Sequence, residues 1–158
     1  MSGGMEDSMD KPTSPTARIS GYDLLSANRA LLDDALVAAA GDRIAWASSV
    51  RERLLALERA FSRHRDVSEE PGGQLEQAVE ARPALASGVR FLRDDHVTLL
   101  GRFADLTNEL VALIESGDID PDKVRWKAST LQDSVRRHMA RGADLLHEAF
   151  VRDDGGEG

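Results

Sequence analysis

The stretch VRRHMARGADLLHEAF, residues 135–150, reads as one face of an α-helix. Val135, His138, Gly142, Leu145 and Ala149 recur at spacings of three, four, three and four, which brings their side chains onto a single helical face. An ionisable ring and a poor helix former therefore occupy places where leucines are usual. Upstream, the stripe continues through Leu131, Ala128 and Val124 to Asp120–Pro121. An N-cap carboxylate followed by a first-turn proline marks the clearest helix start in the chain.

Three more helical stripes extend the pattern. The first helix is predicted from about Ser20 to Ala40, with Leu24, Leu25, Asn28, Leu31, Leu32, Ala35 and Ala39 facing inward. The second starts after Asp42 and runs to about 67–70, on Ala47, Val50, Leu54, Leu57, Phe61, His64 and Val67. Proline and two glycines at 71–73 end it, and residues 74–82 can add a short helical turn. Pro83 opens the third, which carries Val89, Leu92, His96, Leu99, Phe103, Leu106, Leu110 and Leu113 before Gly117 stops it. Strand-like alternation is absent, and the links between the first and second and between the third and fourth of these helices are short. Short links favour antiparallel neighbours, so the expected fold is all-α, an up-down-up-down four-helix bundle. Residues 1–18 are expected to form a disordered tail, 19–152 the bundle, and 153–158 a short acidic tail.

Charge and composition narrow the function. Twenty basic residues against 28 acidic ones leave a net charge of −8, which disfavours nucleic acid and anionic membrane as partners. No apolar run approaches the ~20 residues that cross a bilayer, and the opening MSGGMEDSMDKPTSPTA has neither the basic start nor the apolar stretch of a secretory signal. With no cysteine, disulfides and thiolate sites are excluded, and the cytoplasm is the simplest location. No glycine-rich phosphate loop, HExxH pair or assembled Ser–His–Asp set points to a hydrolase or transferase, so a binding or sensing protein is expected before an enzyme.

Each stripe has one polar interruption: Asn28, His64, His96 and His138. His96 lies seven residues after Val89 and seven before Phe103, and His138 seven after Leu131 and seven before Leu145. A buried polar group without a partner costs roughly 1–3 kcal/mol, so three inward histidines on three helices suggest a shared purpose. Neutral imidazole is a common ligand of transition metals, and bundle cores are places where such ligands converge. Counting from the predicted helix ends puts His96 and His138 within ~3 Å of one level along the bundle. His64 is displaced from them by about 9 Å unless the second helix runs on or the third begins late. His147, nine residues after His138, is expected in solvent. Glu58, Asp94, Asp95 and Asp144 are nearby acids, but none falls on the inner face by spacing.

The ordered series NRALLDD (28–34), AFSRHRDVSEEPGG (60–73), VRFLRDDHVTLL (89–100) and RRHMARGADLLHEAF (136–150) resembles the hemerythrin-like, or HHE cation-binding, family. The resemblance covers most of residues 20–156. It implies a four-helix bundle holding a pair of non-haem irons through histidines and bridging carboxylates, with roles in O2 or NO binding, sensing or oxidative-stress response. By that resemblance His64, His96 and His138 are metal ligands, and Glu69 matches a carboxylate that follows the histidine of the second helix. Two positions depart from the pattern: Asn28 stands where the family has a histidine, and Gly142 where it has a glutamate. The alternative reading is a metal-free or single-metal bundle that serves as a protein-interaction scaffold.

Overall fold

The chain's computed structural model describes residues 15–151, with side chains from residue 22 onward. Residues 1–14 and 152–158, on which most of the two expected tails fall, lie outside the described residues. All regular structure among the described residues is helical: α1 (Pro15–Val37), α2 (Arg43–Glu69), α3 (Gln74–Ala81), α4 (Ala86–Ser116) and α5 (Pro121–Phe150), with a 3-10 turn at Pro83–Leu85. Four are long, and α3 is short. Consecutive long helices pack on one another, α1 on α2, α2 on α4 and α4 on α5, while α3 lies mainly against α5.

The ends follow from local chemistry. Asp42 caps α2 by accepting the Ala45 N–H at 3.1 Å. Asp120 caps α5 by accepting the N–H groups of Asp122 and Lys123 at 3.1 and 3.4 Å, with Pro121 in the first turn. Gly117 closes α4 at φ +74°, a left-handed conformation that a side chain would strain, and its N–H bonds the Leu113 carbonyl. Replacing Asp120 by alanine removes the acceptor for two otherwise unpaired N–H groups. Chemical denaturation is expected to show a loss of about 1 kcal/mol.

Three predicted boundaries move. α1 begins at Pro15, earlier than Ser20, and ends at Val37, before Ala40. Pro83 opens a 3-10 turn, so α4 starts three residues later, at Ala86. Residues 74–81 form a full two-turn helix, whose Leu75 and Ala78 are buried.

The inner face of α1 also differs from the predicted one. Leu25, Leu32 and Leu36 are buried, whereas Leu24 and Leu31 are each 41 % exposed. Pairs at 24/25 and 31/32 satisfy a heptad equally well, and only packing on α2 selects the second member of each. Val67, expected inward, is exposed, and Ser68 is buried in its place with its hydroxyl donating to the His64 carbonyl.

Side-chain bonds gather the two short links. Trp46 donates to the Ala35 carbonyl, Arg43 to that of Ile119, and Arg125 to those of Leu36 and Ala38. The main apolar core runs from this end through Val50, Leu54, Leu57, Phe103 and Leu131 to Phe61. A second, smaller apolar cluster joins Leu75, Ala78, Val89, Leu92 and Ala149 where α3 packs on α4 and α5. Gly88 permits that approach, since a Cβ there would stand 2.9 Å from Leu145 Cδ1. Between the two clusters, after Phe61 and Val135 and before Leu99, lie the histidines.

Candidate metal centre

His64, His96 and His138 come from α2, α4 and α5 and meet in one layer. One ligand nitrogen from each lies within 4.8 Å of the others. Ring centroids are 4.5 Å apart for His96 and His138, 5.3 Å for His64 and His96, and 5.7 Å for His64 and His138. His96 and His138 are buried, while His64 is half-buried. The displacement expected for His64 does not occur. α4 begins late, and α3 takes up chain beyond the end of α2, so α2 can stop below the ends of its neighbours.

Phe61 forms the floor. Its ring is fully buried, 5.7 Å from His64, 5.8 Å from His96 and 5.4 Å from His138, and edge-on to the last two. This apolar floor and the burial of the layer favour neutral imidazoles. Burial pushes His64 down to about 4 and His96 to about 3, helped by the neighbouring His138. His138 is also lowered by burial, against the opposing pull of the Asp95 carboxylate. Neutral rings keep a lone pair available, the form in which histidine ligates a metal.

Asp95, which helical spacing leaves off the inner face, is nonetheless a partner of the layer. Its Oδ2 lies 2.7 Å from His138 Nδ1, and the pair is largely buried. A carboxylate there holds the proton on Nδ1 and leaves Nε2 as the lone-pair nitrogen, the arrangement that orients metal-bound histidines. Its position immediately before His96 puts it on the flank of α4 facing α5, a face that helical spacing within α4 alone does not reveal. Asp94 and Asp144 are exposed, and Glu58, whose carboxyl is raised by burial, sits six residues before His64 and outside the layer.

Glu69, the last residue of α2, points to His96 with Oε1 3.6 Å from Nδ1. That is too long for a hydrogen bond. Consequently, neither ring nitrogen of His96 has a hydrogen-bond partner among the described residues, although the side chain is only 1 % exposed. Buried polar atoms are nearly always paired, so these two unpartnered nitrogens mark His96 as the residue of the layer best placed to accept a ligand.

The other positions stay apart. Asn28 is half-buried and donates its amide to the Leu24 carbonyl on its own helix, 2.8 Å away. Gly142 contributes no donor, and a Cβ built on it meets nothing within 4 Å. His147 is exposed, as its spacing predicted. A surface groove of about 280 Å³ between α4 and α5, beside Trp126 and the Lys127–Glu109 ion pair, is remote from this layer and has no convergent set of ligands.

No family model, curated protein or solved structure matches the chain. No described helix is long and apolar enough to cross a membrane.

Proposed function

We propose that this chain is a metal-binding protein: a hemerythrin-like, up-down-up-down bundle that holds a transition-metal ion on His64, His96 and His138. One observation carries the reading. Three neutral imidazoles from three helices converge within 4.8 Å, and the most buried of them has two unpartnered nitrogens. Nitrogen ligands about 2.0–2.1 Å from one tetrahedral ion stand roughly 3.3 Å apart, so small side-chain rotations close the site. The bonds that bring the 38–42 and 117–120 links together support the up-and-down course.

Iron is the metal that the family resemblance implies, and binding or sensing of O2, NO or a reactive oxygen species is the activity that accompanies it. The ion would supply that chemistry. The protein supplies a dry floor at Phe61, a fixed tautomer at His138 through Asp95, and exclusion of bulk water. A cytoplasmic setting belongs to the same proposal and rests on the lack of cysteine.

A pair of irons does not fit the donor set. Two ions at close range require bridging anionic oxygens to offset their charge. Asp95 is committed to His138, Glu69 stops 3.6 Å from Nδ1 of His96 at the end of α2, Gly142 has no side chain, and Asn28 bonds its own helix. The same gaps favour a second reading, a bundle that retains the histidines for packing and acts as an interaction scaffold.

Metal content decides between them. The full chain, purified from iron-supplied cells and reconstituted with iron or zinc, is expected to retain metal after desalting. His96→Ala and His138→Ala are each expected to lose it. Metal-free parent protein after every reconstitution would overturn the proposal. Asp95→Asn keeps the shape but weakens the acceptor, and a 10–100-fold loss of metal affinity is expected in a competition titration.

A further inference from the structure

Two exposed helical surfaces of this chain differ in charge, and each carries what the other lacks. We infer that the outer face of α1 docks along the α4–α5 seam of a second copy of the chain. Nothing in this contact depends on a bound metal.

α1 packs on α2 and only slightly on α5. Leu24 and Leu31 stand one heptad apart on its outer side, each 41 % exposed, with the exposed Ala27 and Ala30 between them. Small residues there let another helix come close. Asp23 and Asp34 flank the leucines, and no exposed basic residue lies between Tyr22 and Val37. Leu25, Leu32 and Leu36 fix the opposite side of α1 in the core, so only another molecule can cover this apolar and acidic face.

The α4–α5 seam is its complement. A groove of about 280 Å³ opens there over Leu106 and Leu131, beside the Trp126 ring, which is 68 % exposed. Further along, Ser134 Oγ accepts from Arg102 Nη1 at 2.8 Å and from Arg137 Nη2 at 3.2 Å, so one hydroxyl holds two guanidiniums in place. Arg141, one turn on, lies over the Phe91 ring, 5.0 Å from its centroid. Cations ordered in this way lose less side-chain freedom when a partner engages them. Glu109 is paired with Lys127, Asp122 with Arg125, and Asp95 turns inward to His138. Lys123, Arg102, Arg137 and Arg141 then outnumber Asp105 and Asp144, which makes the strip cationic on a chain of net charge −8. Such a strip selects an acidic partner, and α1 of another copy supplies both the acids and the apolar anchors. The lengths agree as well. Leu31 to Asp23 covers about 12 Å of α1, and Thr130 to Arg137 about 10 Å of α5, so Leu31 seated against Trp126 brings Asp23 to the guanidiniums. Because the contact pairs unlike faces, it builds rings or chains of copies.

Sedimentation velocity of the full chain over a concentration series tests this contact. Larger species are expected at low salt and should dissociate in about 0.5 M sodium chloride, where exposed charges are screened. Two double variants, Arg137→Glu with Arg141→Glu and Asp23→Arg with Asp34→Arg, should each weaken self-association at least tenfold. All four residues are exposed, and far-UV circular dichroism verifies that the variants stay folded. Mixed together, the two variants should associate again, since the acidic seam of one then meets the basic α1 of the other. A parent that stays monomeric at every concentration would overturn the inference. So would association that survives both pairs of substitutions, or a mixture of the variants that stays apart. None of these results bears on whether the histidines hold a metal.

Discussion

Replacing Phe61 by alanine is expected to lower the stability of the chain by about 3–5 kcal/mol, the usual cost of emptying a fully buried phenylalanine site. Phe61 is 0 % exposed and touches all three histidine rings as well as Phe103, at centroid distances of 5.4 to 5.9 Å. These neighbours come from α2, α4 and α5, so no single helix can relax into the void. The cavity would also open beneath the histidine layer, admitting water to rings that burial now keeps neutral. Against a typical total of about 5–15 kcal/mol, this is a large fraction of the fold's stability. Urea unfolding followed by far-UV circular dichroism measures it. Phe91 is the control: it is half exposed, with the Arg141 guanidinium over its ring, and Phe91→Ala is expected to cost less than about 1 kcal/mol. Equal losses in the two variants would contradict Phe61 as the floor of the site.

The second large effect is acid destabilisation of the metal-free chain. His64 and His96 titrate at about 4 and about 3 in the folded protein and near their ordinary value, 6.5, once unfolded. Between those limits the unfolded chain binds more protons, so stability rises with pH and is lost as pH falls below about 6.5. Above that value both states are neutral and the contribution is complete. Each such ring adds a slope approaching 1.36 kcal/mol per pH unit within its window. The range from about 6.5 to 5 isolates the histidines, because ordinary carboxylates titrate mostly below it. Denaturation midpoints measured there with a chelator present should fall steadily in the parent and about one proton's worth less steeply in His96→Leu. A flat parent profile across that range would contradict the burial of these rings.

Much of this was written in the sequence at the level of single helices. Asp120–Pro121 fixed the start of α5, and the heptad relations of His96 and His138 placed both rings inward at one level. What eluded the sequence depends on neighbouring helices. Leu24 and Leu25, like Leu31 and Leu32, offer the same periodicity, and only the approach of α2 decides which pair is buried. His64 reaches the layer because α3 and the 3-10 turn separate α2 from α4 by more chain than a simple hairpin would use. Asp95 lies one residue off the inner stripe and becomes a partner only when α5 brings His138 beside it. Asn28 had the spacing of a core residue, yet the face chosen by Leu25 and Leu32 turns it toward its own backbone. The two departures at Asn28 and Gly142 could be seen from the residues alone. Their meaning for the number of ions needed the geometry.

His64, His96 and His138 are proposed to act together on one metal, and thermal melting with and without that metal reads out their shared ligation. A ligand that binds only the native state adds about 2.7 kcal/mol when present at 100 times its dissociation constant. Chelator-treated parent protein should therefore melt several degrees higher after addition of zinc or ferrous iron, and His138→Ala should melt at the same temperature with or without it. An equal rise in parent and variant, or no rise in either, would contradict the shared site.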